Sequence, residues 1–157
     1  MLSYQISFQG GLLERGFWLY IWRIEYKGRV CYYVGRTGDS SSRYAASPFS
    51  RLSQHLDVRN SASANMLLRN IRAAGFNPLE CFFEMTAFGP IFPEQHTLDQ
   101  HRQFRDRIAP LESALAEYLR QRGLEVIGKH PSPGSVDQKI FSEVLTSVGK
   151  TILKGSN

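Results

Sequence analysis

The stretch Tyr32-Tyr33-Val34-Gly35-Arg36-Thr37 ends a strand-like run with two phenols, a bare backbone, a cation and a hydroxyl. A hairpin tip requires none of these, whereas a site that handles a phosphate can use all of them. A guanidinium forks onto phosphate oxygens and offsets the charge that builds during attack. A phenol beside an activated water can accept or relay a proton if its pKa falls from ~10. Further along, Arg51 and His55 stand four residues apart, so on a helix they stack on one face. The imidazole exchanges protons near neutral pH. Glu112 stands beside the apolar stripe of a later helix pattern. At about 100° per residue, Leu111, Leu115 and Leu119 fall within about 80° of one another, Glu112 about 20° beyond them and Glu117 about 160° beyond. Glu112 can therefore point toward a site, while Glu117 faces solvent.

These groups need elements to carry them. Residues 17–26 and 29–35 are rich in aromatic and branched side chains, with Lys27-Gly28 between them, and read as a β-hairpin. A two-residue loop pairs 26 with 29, so Trp22 faces Tyr33 and Tyr20 faces Gly35, all four on one face. Gly35 opposite Tyr20 then leaves room for a phosphate or a water. Ser47 and Pro48 open a helix over 47–56 whose apolar stripe is Phe49, Leu52 and Leu56, with Arg51 and His55 on the opposite face. Residues 61–75 read as a second helix closed by Gly75, and 79–85 as a third strand. The stretch 88–93 reads as a break. Residues 94–108 read as an exposed polar helix, with His96 and His101 at the surface, and Pro110 opens a separate helix that Gly123 ends. Residues 135–148 form a last amphipathic helix, and the first 16 residues are candidates for an added strand. The expected fold is α/β (α+β), a small, mainly antiparallel three-stranded sheet flanked by helices, in one domain over 1–157.

Composition narrows the function class. The 157 residues are 42% hydrophobic and 21% charged, which is globular rather than disordered, and the net charge of +5 favours polyanions such as nucleic acid. No apolar run reaches the ~20 residues of a membrane span. The first residues lack the basic start and apolar centre of a secretory signal. Cys31 and Cys81 lie on separate strand-like runs without metal spacing and read as thiols in a reducing, cytoplasmic setting; a disulfide is the alternative. Arg36 and Arg43 are placed to contact backbone phosphates, which adds affinity without sequence information.

Taken in order, these residues resemble the GIY-YIG nuclease superfamily. Trp18-Leu19-Tyr20 stands where the family has Gly-Ile-Tyr, Tyr33-Val34-Gly35 stands for Tyr-Ile-Gly, Arg51 and His55 match its Arg-x-x-x-His step, and Glu112 matches its helix glutamate. The resemblance covers residues 17–123. It implies an Mg²⁺-dependent (or Mn²⁺-dependent) endonuclease that hydrolyses DNA. Tyr20 is then the general base, Tyr33 positions water or phosphate, Arg51 and His55 assist at the phosphate, and Glu112 holds the metal. One such site cuts one strand, so a double-strand break needs a homodimer or two events. The sequence departs from the family at Trp18 and in residues 86–109, which read as an insertion. It also lacks the usual asparagine after the glutamate helix; beyond Asn77 only Asn157 remains, and Glu125, Lys129 and His130 are candidate replacements. Two other functions compete: a catalytically impaired nucleic-acid-binding module of the same fold, and an RNA nuclease.

Overall fold

The computed structural model describes residues 1–39, 42–59 and 61–153; Asn157 lies outside them. A three-stranded antiparallel sheet carries the fold, with β1 (Gly16–Tyr26) in the centre, β2 (Arg29–Arg36) on one side and β3 (Phe82–Pro93) on the other. Helices α1 (Pro48–His55), α2 (Met66–Ala73), α3 (Leu98–Gln121) and α4 (Gln138–Thr151) complete the expected α+β architecture.

The hairpin has the expected register. Tyr26 pairs with Arg29, Trp22 with Tyr33 and Tyr20 with Gly35. Both loop residues, Lys27 and Gly28, take positive φ, 49° and 82°, which matches the right-handed twist of the strands. Side chains of β1 alternate between two cores. Leu19 and Ile21 join Tyr32, Val34, α3 and α4 on one face; Tyr20, Trp22 and Ile24 join Cys31, α1 and α2 on the other. Burying a large side chain on either face contributes about 1.5–3 kcal/mol, so the central strand is anchored from both sides.

Four expectations are overturned. The stretch 88–93 continues β3 rather than breaking it, and Phe92 pairs with Phe17 after a register shift between Phe17 and Leu19. β3 is an edge strand, so Pro90 and Pro93 leave no inner ladder unpaired. Pro110 lies inside α3 and opens no new helix. An interior proline costs about 3 kcal/mol. That cost is outweighed by one continuous stripe of fully buried residues, His101, Ile108, Leu111, Leu115 and Leu119, on both sides of the proline. His101 is thus a core residue, unlike His96, which is exposed. The first residues form a short 3-10 turn at Gly10–Leu13 and no strand.

Helix α1 begins as its sequence predicts: the Ser47 hydroxyl accepts the Ser50 N–H at 3.1 Å, with Pro48 next to it. Its inward face differs from expectation. His55 is 1% exposed, whereas Phe49, Leu52 and Leu56 are only half-buried. Among the described residues, no helix is long and apolar enough to cross a membrane.

Candidate active site

The hairpin and α1 build the centre of the site. Tyr20, buried on the central strand, places its hydroxyl 2.6 Å from His55 Nε2. The Tyr33 ring stands edge-on to the same imidazole, with ring centres 5.6 Å apart. Gly35 makes this possible, for a reason other than the one the sequence suggested. A Cβ there would lie 2.6 Å from the Tyr20 hydroxyl, so the tyrosine ring itself fills the space expected for a phosphate or water.

Burial sets the protonation states of this pair. It pushes the Tyr20 phenol well above its usual range, a shift the Arg51 charge opposes only in part. Burial, followed by the Arg51 charge, pulls His55 down to about 4, so the imidazole is neutral at pH 7. Burial and then the Glu112 carboxylate push Tyr33 up to about 12. The expected lowering of the phenol pKa is thus reversed. What the fold offers instead is a short hydrogen bond between a neutral phenol and a neutral imidazole. Along such a bond a proton can shift when a charge arrives.

Arg51 sits one turn before His55 on α1. Its Nη2 donates to Asp39 Oδ2 at 2.8 Å and its Nη1 to Gln54 Oε1 at 2.9 Å. Glu112 arrives from the opposite layer. Its Oε2 accepts the Arg36 Nε at 2.7 Å where β2 ends, and both side chains are about four-fifths buried, at 21% and 18% exposure. Glu112 lies in mid-helix, so no helix-terminal dipole accounts for it. Its charge still reaches Tyr33, as do those of Arg51 and Asp39. Tyr20, Tyr33, His55 and Arg51 are therefore neighbours, whereas Glu112, held by Arg36 on the opposite layer, reaches Tyr33 through its charge.

The expected phosphate contacts divide. Gly35 is buried under Tyr20, and Arg36 is committed to Glu112. Arg43 is exposed, with its guanidinium 4.8 Å above the Tyr44 ring. Of Glu125, Lys129 and His130, one lies beside Tyr33. Residues after α3 run along the outer edge of β2, where Tyr32 N–H donates to Glu125 O at 2.7 Å and Ile127 N–H donates to Tyr32 O at 2.8 Å. Glu125 pairs with Arg29 at the far end of the hairpin, and Lys129 is exposed. His130 stands beside Tyr33, 6.4 Å between rings. Both of its nitrogens are engaged: Nδ1 accepts from Arg120 at 3.2 Å, and Nε2 donates to Val34 O at 3.0 Å. It fastens this segment to β2 and leaves no ring nitrogen for a substrate.

Sequence reasoning missed Asp39, Arg120 and His101. Asp39 follows the Gly-Arg-Thr-Gly run directly, but its pairing spans twelve positions, and no local pattern marks it. Among the described residues, five buried side-chain polar atoms lack a hydrogen-bond partner; two of them, Arg51 Nε and His55 Nδ1, belong to α1 at this site, and a third, Arg36 Nη1, belongs to the residue that Glu112 holds. Buried polar groups are normally satisfied, so a concentration of orphans marks a site that takes a polar ligand.

A divalent cation, which the family resemblance implies, can be tested against these donors. Among the described residues no three His, Cys, Asp or Glu side chains cluster. One carboxylate oxygen of Glu112 holds Arg36; the other has no donor among the described residues. This fits a water-rich Mg²⁺ site with a single carboxylate, and it does not fit a caged metal such as Zn²⁺ or Ca²⁺. No family model, curated protein or solved structure matches the chain.

Proposed function

We propose that the protein is a divalent-metal-dependent endonuclease of GIY-YIG type that hydrolyses DNA phosphodiester bonds. The observation that carries this reading is the 2.6 Å contact of Tyr20 with His55, beside the unsatisfied polar atoms of Arg51 and His55. Tyr20 takes a proton from the attacking water as its own moves to His55 Nε2. One P–O bond forms to the water oxygen and one breaks on the leaving side. Arg51 offsets the charge that builds on the phosphate oxygens. Glu112 would hold the cation, which supplies Lewis-acid stabilisation and lowers the pKa of water. Tyr33 orients the water and the phosphate between these groups. Exposed Arg43 adds backbone affinity. A homodimer or two successive events would give a double-strand break. Free thiols at Cys31 and Cys81 suit a cytoplasmic enzyme.

A second reading has its own support. Arg51 is held by Asp39 and Glu112 by Arg36, so both charged groups are already neutralised. A nucleic-acid-binding module that has lost cleavage would look the same. Supercoiled plasmid incubated with Mg²⁺ or Mn²⁺, beside Glu112→Gln, separates the two. The nuclease reading expects nicking that EDTA and the substitution both abolish. A variant that cuts like the wild type removes Glu112 as metal ligand. A wild type that binds DNA and RNA but cuts neither leaves the binding module.

A further inference from the structure

Asp39 is unusually well placed for a surface acid. The two residues before it are fixed to the core. Thr37 is fully buried; its Oγ1 accepts the Trp18 N–H at 2.8 Å and donates to Gly16 O at 2.5 Å, while its own N–H donates to Trp18 O at 3.0 Å. Gly38 takes φ +77° and packs directly on the Phe17 ring, where a side chain has no room. Its carbonyl lies 3.1 Å from the buried His101 Nε2. The chain thus leaves the core from a rigid point, and the next side chain is Asp39.

That side chain meets Arg51. The guanidinium is 15% exposed and Asp39 37%, so the pair closes the outer side of an otherwise buried cation. We propose that Asp39 is a built-in counter-ion, occupying the position on Arg51 that a substrate phosphate takes, and that substrate binds by displacing it. This rests on the reading of Arg51 as a phosphate ligand and adds a specificity element to it. A guanidinium held by a fixed carboxylate yields to a ligand with higher local charge. A nucleic-acid backbone, with further phosphates on either side of the one at Arg51, qualifies better than an isolated anion. The buried Arg51 stays neutralised when no substrate is present, which avoids the cost of an unpaired buried charge. In exchange, every binding event must break one ion pair.

The consequence is an acidic residue at a nucleic-acid site whose removal strengthens binding through one particular arginine. Asp39→Asn keeps the shape and an acceptor oxygen while removing the charge. A partly exposed pair of this kind competes with about a fivefold effect. The experiment measures the affinity of a labelled short DNA duplex in Ca²⁺ for the wild type, Asp39→Asn, Arg51→Ala and the double variant, with thermal melting as a check on folding. Asp39→Ser replaces Asp39→Asn should the latter melt early. The expected result is binding about fivefold tighter for Asp39→Asn, and no gain when the same change is made on Arg51→Ala. Equal affinities for wild type and Asp39→Asn, including no measurable binding by either, overturn the proposal. So does a gain that persists without Arg51, because it would reflect net charge alone. Cleavage in Mg²⁺ is scored separately. A gain without cleavage keeps the counter-ion and removes the nuclease; cleavage without a gain does the reverse.

Discussion

His55 should make the fold acid-sensitive in a defined window. In the folded protein its pKa lies at about 4, against an ordinary value of 6.5 once the chain unfolds. The unfolded state therefore binds the proton first as pH falls. Stability is complete above about pH 6.5, declines through the interval between the two values, and levels off below about pH 4. The gap of 2.5 units amounts to about 3 kcal/mol in full, of which about 2 kcal/mol is lost by pH 5. For a chain of this size that is a fall of roughly 4–8 °C in Tm. The control is His55→Gln, whose amide oxygen can still accept the Tyr20 hydroxyl but does not titrate. Denaturant unfolding of both proteins from pH 7.5 to pH 4 isolates the imidazole, since all other groups are shared. The wild type should lose about 2 kcal/mol more than His55→Gln between pH 7.5 and pH 5. Parallel curves would refute the reasoning, because they would mean His55 is hydrated and titrates normally.

Gly35→Ala should destabilise by at least about 1–3 kcal/mol, because the added methyl collides with the ring of a tyrosine that is 1% exposed and has no room to move; urea unfolding reads this directly. Arg51→Ala should slow single-turnover cleavage by at least ~10²-fold if the guanidinium stabilises transition-state charge. A large drop in Tm with little change in rate would make Arg51 structural instead.

The hairpin was legible because local chemistry and pairing agree. Lys27-Gly28 sets the turn, the turn sets the register, and the register places Tyr20, Tyr33 and Gly35 on one face. The α1 start was legible for the same reason, since Ser47 and Pro48 act within one turn of each other. What failed were inferences from single residues with long-range compensation. Gly89-Pro90 looks like a break but lies on an edge strand, where a missing N–H costs little. Pro110 looks like a helix start, yet the buried positions at 101, 108, 111, 115 and 119 continue through it. Polarity misled at α1 and at His101. His55 turns inward because Tyr20 offers it a hydrogen bond, and Arg51 because Asp39 offers it a charge. Each partner lies far away in sequence, so hydrophobic periodicity placed both side chains on the face opposite the apolar stripe.

The central claim is that the Tyr20 hydroxyl handles the proton of the attacking water. Tyr20→Phe removes that oxygen and keeps the ring that packs against Gly35. The decisive measurement is single-turnover cleavage of a labelled duplex at saturating enzyme in Mg²⁺, with binding followed separately in Ca²⁺. Tyr32→Phe and Tyr26→Phe serve as controls, since Tyr32 faces the other core and Tyr26 stacks on Phe76 beside the turn. The account predicts that Tyr20→Phe loses at least ~10²-fold in rate while binding stays intact, with both controls near wild type. Cleavage by Tyr20→Phe at the rate of the wild type would contradict it.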